Sequence, residues 1–438
     1  MAILKFPSKK DNKQKLTEQP LNYWEEQSFL IAVPYNSSTN IPDGIFDRAA
    51  AVKDVTLKKQ AWNEEEGLGS IIVGYQGEEY AIGFHYGDFS APDMRGMQMQ
   101  RLSQSEIEAV QRAEKALTVF MEFKGDPKVC YQLQLKMIAA MVPDFAAVMD
   151  ESAEQLLSSR WVRMTVDSSV VPSAEALYSV QAVSAENGEV WLHTHGLCRC
   201  GLTELEILDS DTENYQNHYN IINNLASRLI DKKDDIDLSK EEGIYIGKLN
   251  DGRQVVAVIV PWTEALGEYP DNILGEPSDR EQGHNTKTSA IFLYKNQKAE
   301  YYHILSKVSI YNELWGENAM FFISNEETER MKTVARERFK YVKQASADSE
   351  NTVIIKIGLE IDEKYKNEAG SGTKEHIWFE LLGFEGDSFR AVLTQEPYWA
   401  ENIHEGYEGT FTVNDVTDWI IFTPECRITP ENAYILED

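Results

Sequence analysis

ALYSVQAVSAENGEVWLHTHGLCRCGLTELEIL, residues 176–208, decides how the middle of the chain folds. Two runs of alternating or apolar residues flank Ala185-Glu186-Asn187-Gly188. Asn187-Gly188 can take the positive φ values that a tight reversal demands, so the pattern predicts a β-hairpin. His193 and His195 then lie on its second strand. Gly196 and Gly201 permit another sharp reversal around Cys198-Arg199-Cys200, and LTELEIL reads as a further strand.

Three chemistries compete for this stretch. Residues two apart on a strand share a face, so His193 and His195 can present ring nitrogens to one ion while Cys198 or Cys200 closes a tetrahedral zinc set. Against this, structural zinc sites usually pair CxxC knuckles across a longer loop, and Arg199 puts a positive charge between the two thiols. Acid or base catalysis by His193 or His195 with Glu204 or Glu206 requires hydrogen-bond reach, and no nucleophile, base and orienting group are evident together. The third reading is structural: a glycine-hinged turn whose histidines bond across a sheet or to nearby backbone. We expect the structural role and no cofactor, with zinc as the alternative.

Outward from the hairpin, strand-like and helix-like segments alternate. SFLIAVPY (28–35) is a short apolar run, and GSIIVGY with EEYAIGFHY flank Gln76-Gly77 like a hairpin. SQSEIEAV offers two capping boxes, Ser103 with Glu106 and Ser105 with Glu108, that predict a helix start. ALTVFMEF reads as a strand. Asp126-Pro127 places a cap and a first-turn proline ahead of a helix that Pro143 should end. TENYQNHYNIINNLASRLI is a predicted helix, and DKKDDIDLSKEEG a solvated connector. GIYIGKL, QVVAVIVPW, SAIFLYK and YYHILSKVSIY read as strands. Between them, residues 267–287 form a long turn-rich loop, either a binding element or disordered. NEETERMKTVARERFKYVKQ reads as a helix capped by Asn325, with acidic residues at its start and basic ones at its end. After ASADSEN, strand patterns recur in NTVIIKIGLEI, HIWFELLGF, FRAVLTQ and DWIIF. The expected fold is α+β, with layered mixed or antiparallel sheets, packed helices, and a small C-terminal α+β or mostly β domain. The expected divisions are a tail over 1–24, a first unit over 25–160, a second over 161–342 and a last domain over 345–438.

Composition bounds the function. The 438 residues are 42% hydrophobic, enough for a large core. No stretch reaches the roughly 20 apolar residues of a bilayer span, and the first residues lack a secretory pattern. Four cysteines make no disulfide framework, so a cytoplasmic location is expected. The 72 acidic residues against 42 basic ones give a net charge of −30, which opposes nucleic acid and anionic membranes but suits a basic protein partner. GxGxxG after a strand, GxxxxGK[ST], GxSxG and HExxH are all missing. Asp415 and Asp418 near Trp419 suggest a carboxylate pair or, more simply, a turn entering a buried Trp, and Trp378 and Trp419 read as core aromatics before a binding platform.

EHIWFELLGF, FRAVLTQEP, Gly406 and VNDVTDWIIF together resemble the YegJ-like family, DUF2314, through His376, Trp378, Pro397, Gly406, Asp418 and Trp419. LHTHGLCRCGLTELEI resembles a second uncharacterised bacterial family, DUF4026, found joined to the first. Neither resemblance brings an established activity. They imply a bacterial cytoplasmic protein, with some relatives suspected of roles beside toxin systems. The expected role is therefore non-catalytic protein binding, immunity-like toward a basic toxin in its sharper form, with Trp378, Asp418 and Trp419 as binding candidates. The alternative is a metal-assisted or histidine-dependent enzyme centred on residues 193–206.

Overall fold

A computed structural model describes residues 27–36, 41–232, 243–249, 251–280, 285–314, 320–321, 323–365 and 374–437. The expected tail over 1–24 and nearly all of the charged connector lie outside these. The chain divides into two compact units, one of Met1–Ser158 with Pro172–Phe322, the other of Ser159–Val171 with Ile323–Asp438.

The first unit holds two sheets. The first sheet consists of β1 (Ser28–Pro34), β2 (Val55–Asn63), β3 (Leu68–Tyr75), β4 (Glu78–Asp88), β5 (Gln98–Met99), β6 (Lys115–Met121), β7 (Phe145–Asp150) and β8 (Gln155–Ser158), in the order β2-β3-β4-β6-β1-β7-β8-β5. Its pairs are antiparallel except β5 with β8. Helices α1 (Ile45–Ala50), α2 (Gln104–Arg112) and α3 (Pro127–Met141) accompany it. Of the two predicted capping boxes the structure forms Ser103 with Glu106, each side chain accepting from the other's backbone N–H. Asp126 and Pro127 start α3 as expected, and the helix ends two residues before Pro143. Ile31 and Val33 of β1 pack with Val110 of α2, Ala147 and Met149 of β7, and Leu156 of β8.

The second sheet consists of β9 (Ser179–Ser184), β10 (Glu189–His195), β11 (Glu204–Asp211), β12 (Ile244–Lys248), β13 (Gln254–Pro261), β14 (Thr288–Tyr294), β15 (Leu305–Ser306) and β16 (Met320–Phe321). The order is β16-β12-β13-β14-β11-β10-β9, with β15 also on β14. β11 and β14 run parallel, making the sheet mixed. Helices α5 (Tyr215–Asp231), α6 (Trp262–Ala265) and α7 (Gln297–Tyr301) belong to this half. α5, predicted as a helix, buries Ile222, Leu225 and Leu229.

In the second unit, α4 (Ser159–Val166), α8 (Asn325–Glu337) and α9 (Phe339–Ala345) accompany an antiparallel sheet of β17 (Thr352–Glu360), β18 (Lys374–Glu385), β19 (Ser388–Leu393), β20 (Glu408–Thr412), β21 (Val416–Phe422) and β22 (Arg427–Ile428), ordered β20-β19-β18-β17-β21-β22. Its core gathers Ile355, Ile357, Phe379, Phe389, Trp419 and Ile421 with Ala335 of α8 and Val342 of α9. The architecture is α+β throughout.

Three local expectations need correction. YYHILSKVSIY is not one strand: its start closes α7, Leu305–Ser306 is β15, and Val308–Leu314 is 3-10 helix. Asn296 caps α7 by accepting from the Ala299 N–H, and the Tyr311 hydroxyl donates to Tyr294 O, so local capping and tertiary bonds override strand propensity. The cap of α8 is Ser324 rather than Asn325, its Oγ accepting from the Glu327 N–H at 3.1 Å. The predicted single helix also breaks at Arg338, whose buried guanidinium donates to Pro430 O. Among the described residues no helix is long and apolar enough to cross a membrane.

Candidate functional site

β10 delivers the HTHGLCRCG stretch between the two sheets of the first unit. It pairs with β9 on one side and β11 on the other, with His193 opposite Gln181 and Glu206. Gly196 turns the chain at φ 114°, and a Cβ there would stand 2.4 Å from Leu177 O, so glycine is required. Cys198–Cys200 then form one 3-10 turn that ends at Gly201 in the left-handed region.

This turn carries Arg199 into the first half of the unit. The guanidinium is fully buried and binds the Asp150 carboxylate with both ends, at 2.8 and 2.9 Å. It also donates to Ser28 Oγ and Leu177 O and lies 4.7 Å from the Tyr131 ring centroid. Tyr131 donates to Asp150 at 2.9 Å, and the Ala153 N–H donates to the same carboxylate. Burial opposes the charge on Arg199, but Asp150 more than compensates and raises its pKa. Burial, then the Asp150 charge, push the Tyr131 hydroxyl well up. The ion pair thus bolts the turn to β1, β7 and α3.

The glutamates after the turn are equally occupied. Glu204 accepts from the Thr194 hydroxyl at 2.6 Å and from the Gly196 and Cys198 N–H groups at 2.9 and 3.0 Å, so it staples the turn to β11. Burial raises its pKa, while these donors hold it down. Glu206 accepts from Arg280 at 3.0 and 2.8 Å and from the Trp191 indole at 3.0 Å. Burial pushes its carboxyl up to about 7 against the pull of Arg280 and Trp191. Every oxygen of both carboxylates accepts from one of these groups.

Arg280 comes from the turn-rich loop over 267–287, of which 281–284 lie outside the described residues. Its guanidinium sits against the rings of Trp191 and Trp262, at 4.9 and 4.2 Å, and donates to Gly275 O and Asn285 O. In its described part the loop is therefore pinned to the hairpin. Tyr269 adds to the same apolar cluster as Trp191, Leu208 and Phe292.

The two histidine rings pack against each other and against Trp191. The ring of His193 lies 4.2 Å from Trp191 and meets His195 edge-on at 5.1 Å. His195 Nδ1 is 3.6 Å from Glu154. His193, Cys198 and Cys200 are buried, and His195 nearly so. Among the described residues no three His, Cys, Asp or Glu side chains form a group able to hold a metal ion.

A second buried polar set went unread in the sequence. His218 of α5 bonds through Nδ1 to Ser210 of β11 and through Nε2 to Asn312, both at 2.8 Å. Burial lowers the pKa of His218, against Asn312 and the charges of Asp209 and Asp211. Asn312 arrives on the 3-10 turn that replaced a predicted strand. No spacing rule flags such a set, because its members lie on three separate elements.

In the second unit, Trp419 is fully buried and donates its indole N–H to Ala335 O at 2.8 Å, a core role. Asp418 accepts from the Trp419 N–H, and burial raises its pKa. Asp415 caps the turn through the Thr412 N–H and hydroxyl. Trp378 is half-buried, with the Lys356 ammonium 5.3 Å from its ring centroid. The binding candidates thus separate into a core Trp, a carboxylate on β21 and one partly open indole; of the two aspartates expected in a turn only Asp415 is there, because Asp418 pairs with Lys356 within the sheet.

The geometry defines an α+β protein whose first unit is a pair of sheets locked through one buried turn. Family models place it further: "Protein of unknown function (DUF4026) N-terminal" matches residues 28–172 and "Protein of unknown function (DUF4026) C-terminal" residues 180–292. "Uncharacterized protein conserved in bacteria (DUF2314)" matches residues 325–429. The chain therefore carries both DUF4026 domains in order, followed by a DUF2314 domain. No curated protein and no solved structure matches it. The Arg199–Asp150 pair runs from within the C-terminal DUF4026 match to within the N-terminal one.

Proposed function

We propose that the protein is a cytoplasmic, non-catalytic protein-binding module that takes a basic protein partner, in an immunity-like role toward a basic toxin, with a YegJ-like last domain. One observation carries the reading. The charged side chains of the 199–206 stretch are turned inward and already engaged: Arg199 holds Asp150, Glu204 holds the turn, and Glu206 holds Arg280. Buried polar groups satisfied in this way fix a unique packing. The net charge of −30 then supplies long-range attraction for a basic partner and repulsion of nucleic acid and anionic membrane. No cofactor is proposed.

The reading is tested by titrating the full chain with basic proteins at low and raised ionic strength. A complex that weakens as salt rises is expected, and binding that is absent or indifferent to salt overturns it. Elemental analysis of the purified chain is the second arm. Stoichiometric zinc that disappears in a His193→Ala, His195→Ala variant would replace this reading with a metal site or metal-assisted enzyme centred on residues 193–206.

A further inference from the structure

The connection from Thr394 to Tyr407, between β19 and β20, reads TQEPYWAENIHEGY and carries three glutamates with no lysine or arginine. Tyr398 projects from it at 80% exposure. A tyrosine so exposed contributes little to packing, yet its backbone is held with care. Glu375 of β18, itself only 7% exposed, spends one carboxylate oxygen on the Tyr398 N–H and the other on the Trp399 N–H, each at 2.9 Å. The Asp362 N–H donates to Trp399 O, and the Glu401 N–H donates to the Asp362 side chain. Ala400 is buried beneath. Burying a carboxylate to fix two consecutive amides of an exposed loop is costly in desolvation. What it secures is a fixed backbone beneath an exposed aromatic, and a loop ordered before contact reduces the ordering cost of binding.

The surroundings of Tyr398 are acidic. Glu396 and Glu401 are both more than half exposed, and Asp362 and Glu405 lie in the same backbone network through Glu401 and Glu396. Lys364 pairs with Glu401 and His404 with Glu396 at 2.5 Å, which offsets part of the charge. The Lys364 and His404 partners hold both carboxylates below the usual range. A protruding aromatic on a loop that carries three glutamates and no lysine or arginine is complementary to lysine or arginine side chains, whose stems pack on an aromatic ring while their charged heads meet carboxylates.

We propose that the Tyr398 loop of the DUF2314 domain is the docking surface for a lysine- and arginine-rich segment of a partner protein. This deepens the function proposed above and rests on it. The test uses the full chain and, as probe, a synthetic lysine- and arginine-rich peptide with interspersed leucines, beside its glutamate counterpart, in calorimetric titrations at two salt concentrations. The wild type should bind the basic peptide in a salt-sensitive way and ignore the acidic one. Tyr398→Ser should weaken binding about tenfold or more, the loss typical of an anchoring interface aromatic. Glu375→Gln, which leaves the tyrosine but loosens its clamp, should weaken it less. Tyr302→Ser, at a tyrosine that is 60% exposed on the first unit, should leave affinity unchanged. If the wild type binds and Tyr398→Ser binds equally well, a basic partner remains but this surface is wrong. Failure of the wild type to bind the basic peptide overturns both.

Discussion

The HTHGLCRCG turn and the Tyr398 loop use the same chemical means for opposite ends. In the first, a buried arginine and two buried glutamates close on groups of the protein itself, and the motif faces inward. In the second, one buried glutamate holds two amides so that an aromatic faces outward. Buried carboxylates occur in both, so burial of a charge does not by itself mark a site. What its partner does with the position decides.

The widest gap between the two regions should show in stability. Replacing Arg199 by Met leaves Asp150 buried with only the Tyr131 hydroxyl and the Ala153 N–H, and breaking a buried pair in this way costs about 3–5 kcal/mol. Urea unfolding measures it. Removing the orphaned charge as well, in Arg199→Met with Asp150→Asn, should recover part of the loss, the signature of a coupled pair. A single variant as stable as wild type would end the view that this turn joins the two DUF4026 halves.

How far the sequence foretold this contrast depends on range. Asn187-Gly188, the Ser103 box and Asp126-Pro127 act within a few residues, and the hairpin and two helix starts were legible from them. The strand β7 was not, because Phe145–Asp150 is buried on both faces and shows no alternation. β2 was missed for the opposite reason: Lys58, Lys59 and Gln60 leave an edge strand without an apolar face. The site suffered most. The sequence drew attention to His193, His195, Cys198 and Cys200 and named Glu204 and Glu206 only as acid–base partners, whereas the structure organises the stretch through Arg199 with Asp150, Glu204 with the turn N–H groups and Glu206 with Arg280, the two ion pairs spanning 49 and 74 positions. In the sequence Arg199 stands only as a positive charge that opposes metal binding. It is the centre of the arrangement, and the hint was an arginine in a turn otherwise made of glycine, leucine and cysteine.

A graded effect should follow from Glu206, smaller because Arg280 stays paired with the charged form and no charge is abandoned. Its carboxyl, pushed by burial from the ordinary 4.5 to about 7, keeps a proton in the folded state that the unfolded chain has already released between those values. This contribution to stability is full below about 4.5 and is lost as pH rises through about 7. Urea midpoints should therefore fall from pH 5 to pH 8, and Glu206→Gln, which cannot titrate, should flatten the decline. A slope that survives the substitution would assign it to repulsion among the 72 acidic residues instead.

The smallest stability change should come from the loop, and that smallness sharpens the contrast. Glu375→Ala strips two amides of their acceptor and should cost roughly 1–3 kcal/mol. Tyr398→Ser removes a ring that is 80% exposed, and a surface change of this kind stays within about 0.5 kcal/mol. Thermal or urea unfolding of the two variants side by side separates support from display. A large loss for Tyr398→Ser would mean that the ring is packed in solution, and the loop would then be one more internal fastening like the turn. A loss confined to Glu375→Ala leaves Tyr398 as a side chain that the fold holds in place without depending on it, which is the arrangement a docking residue requires.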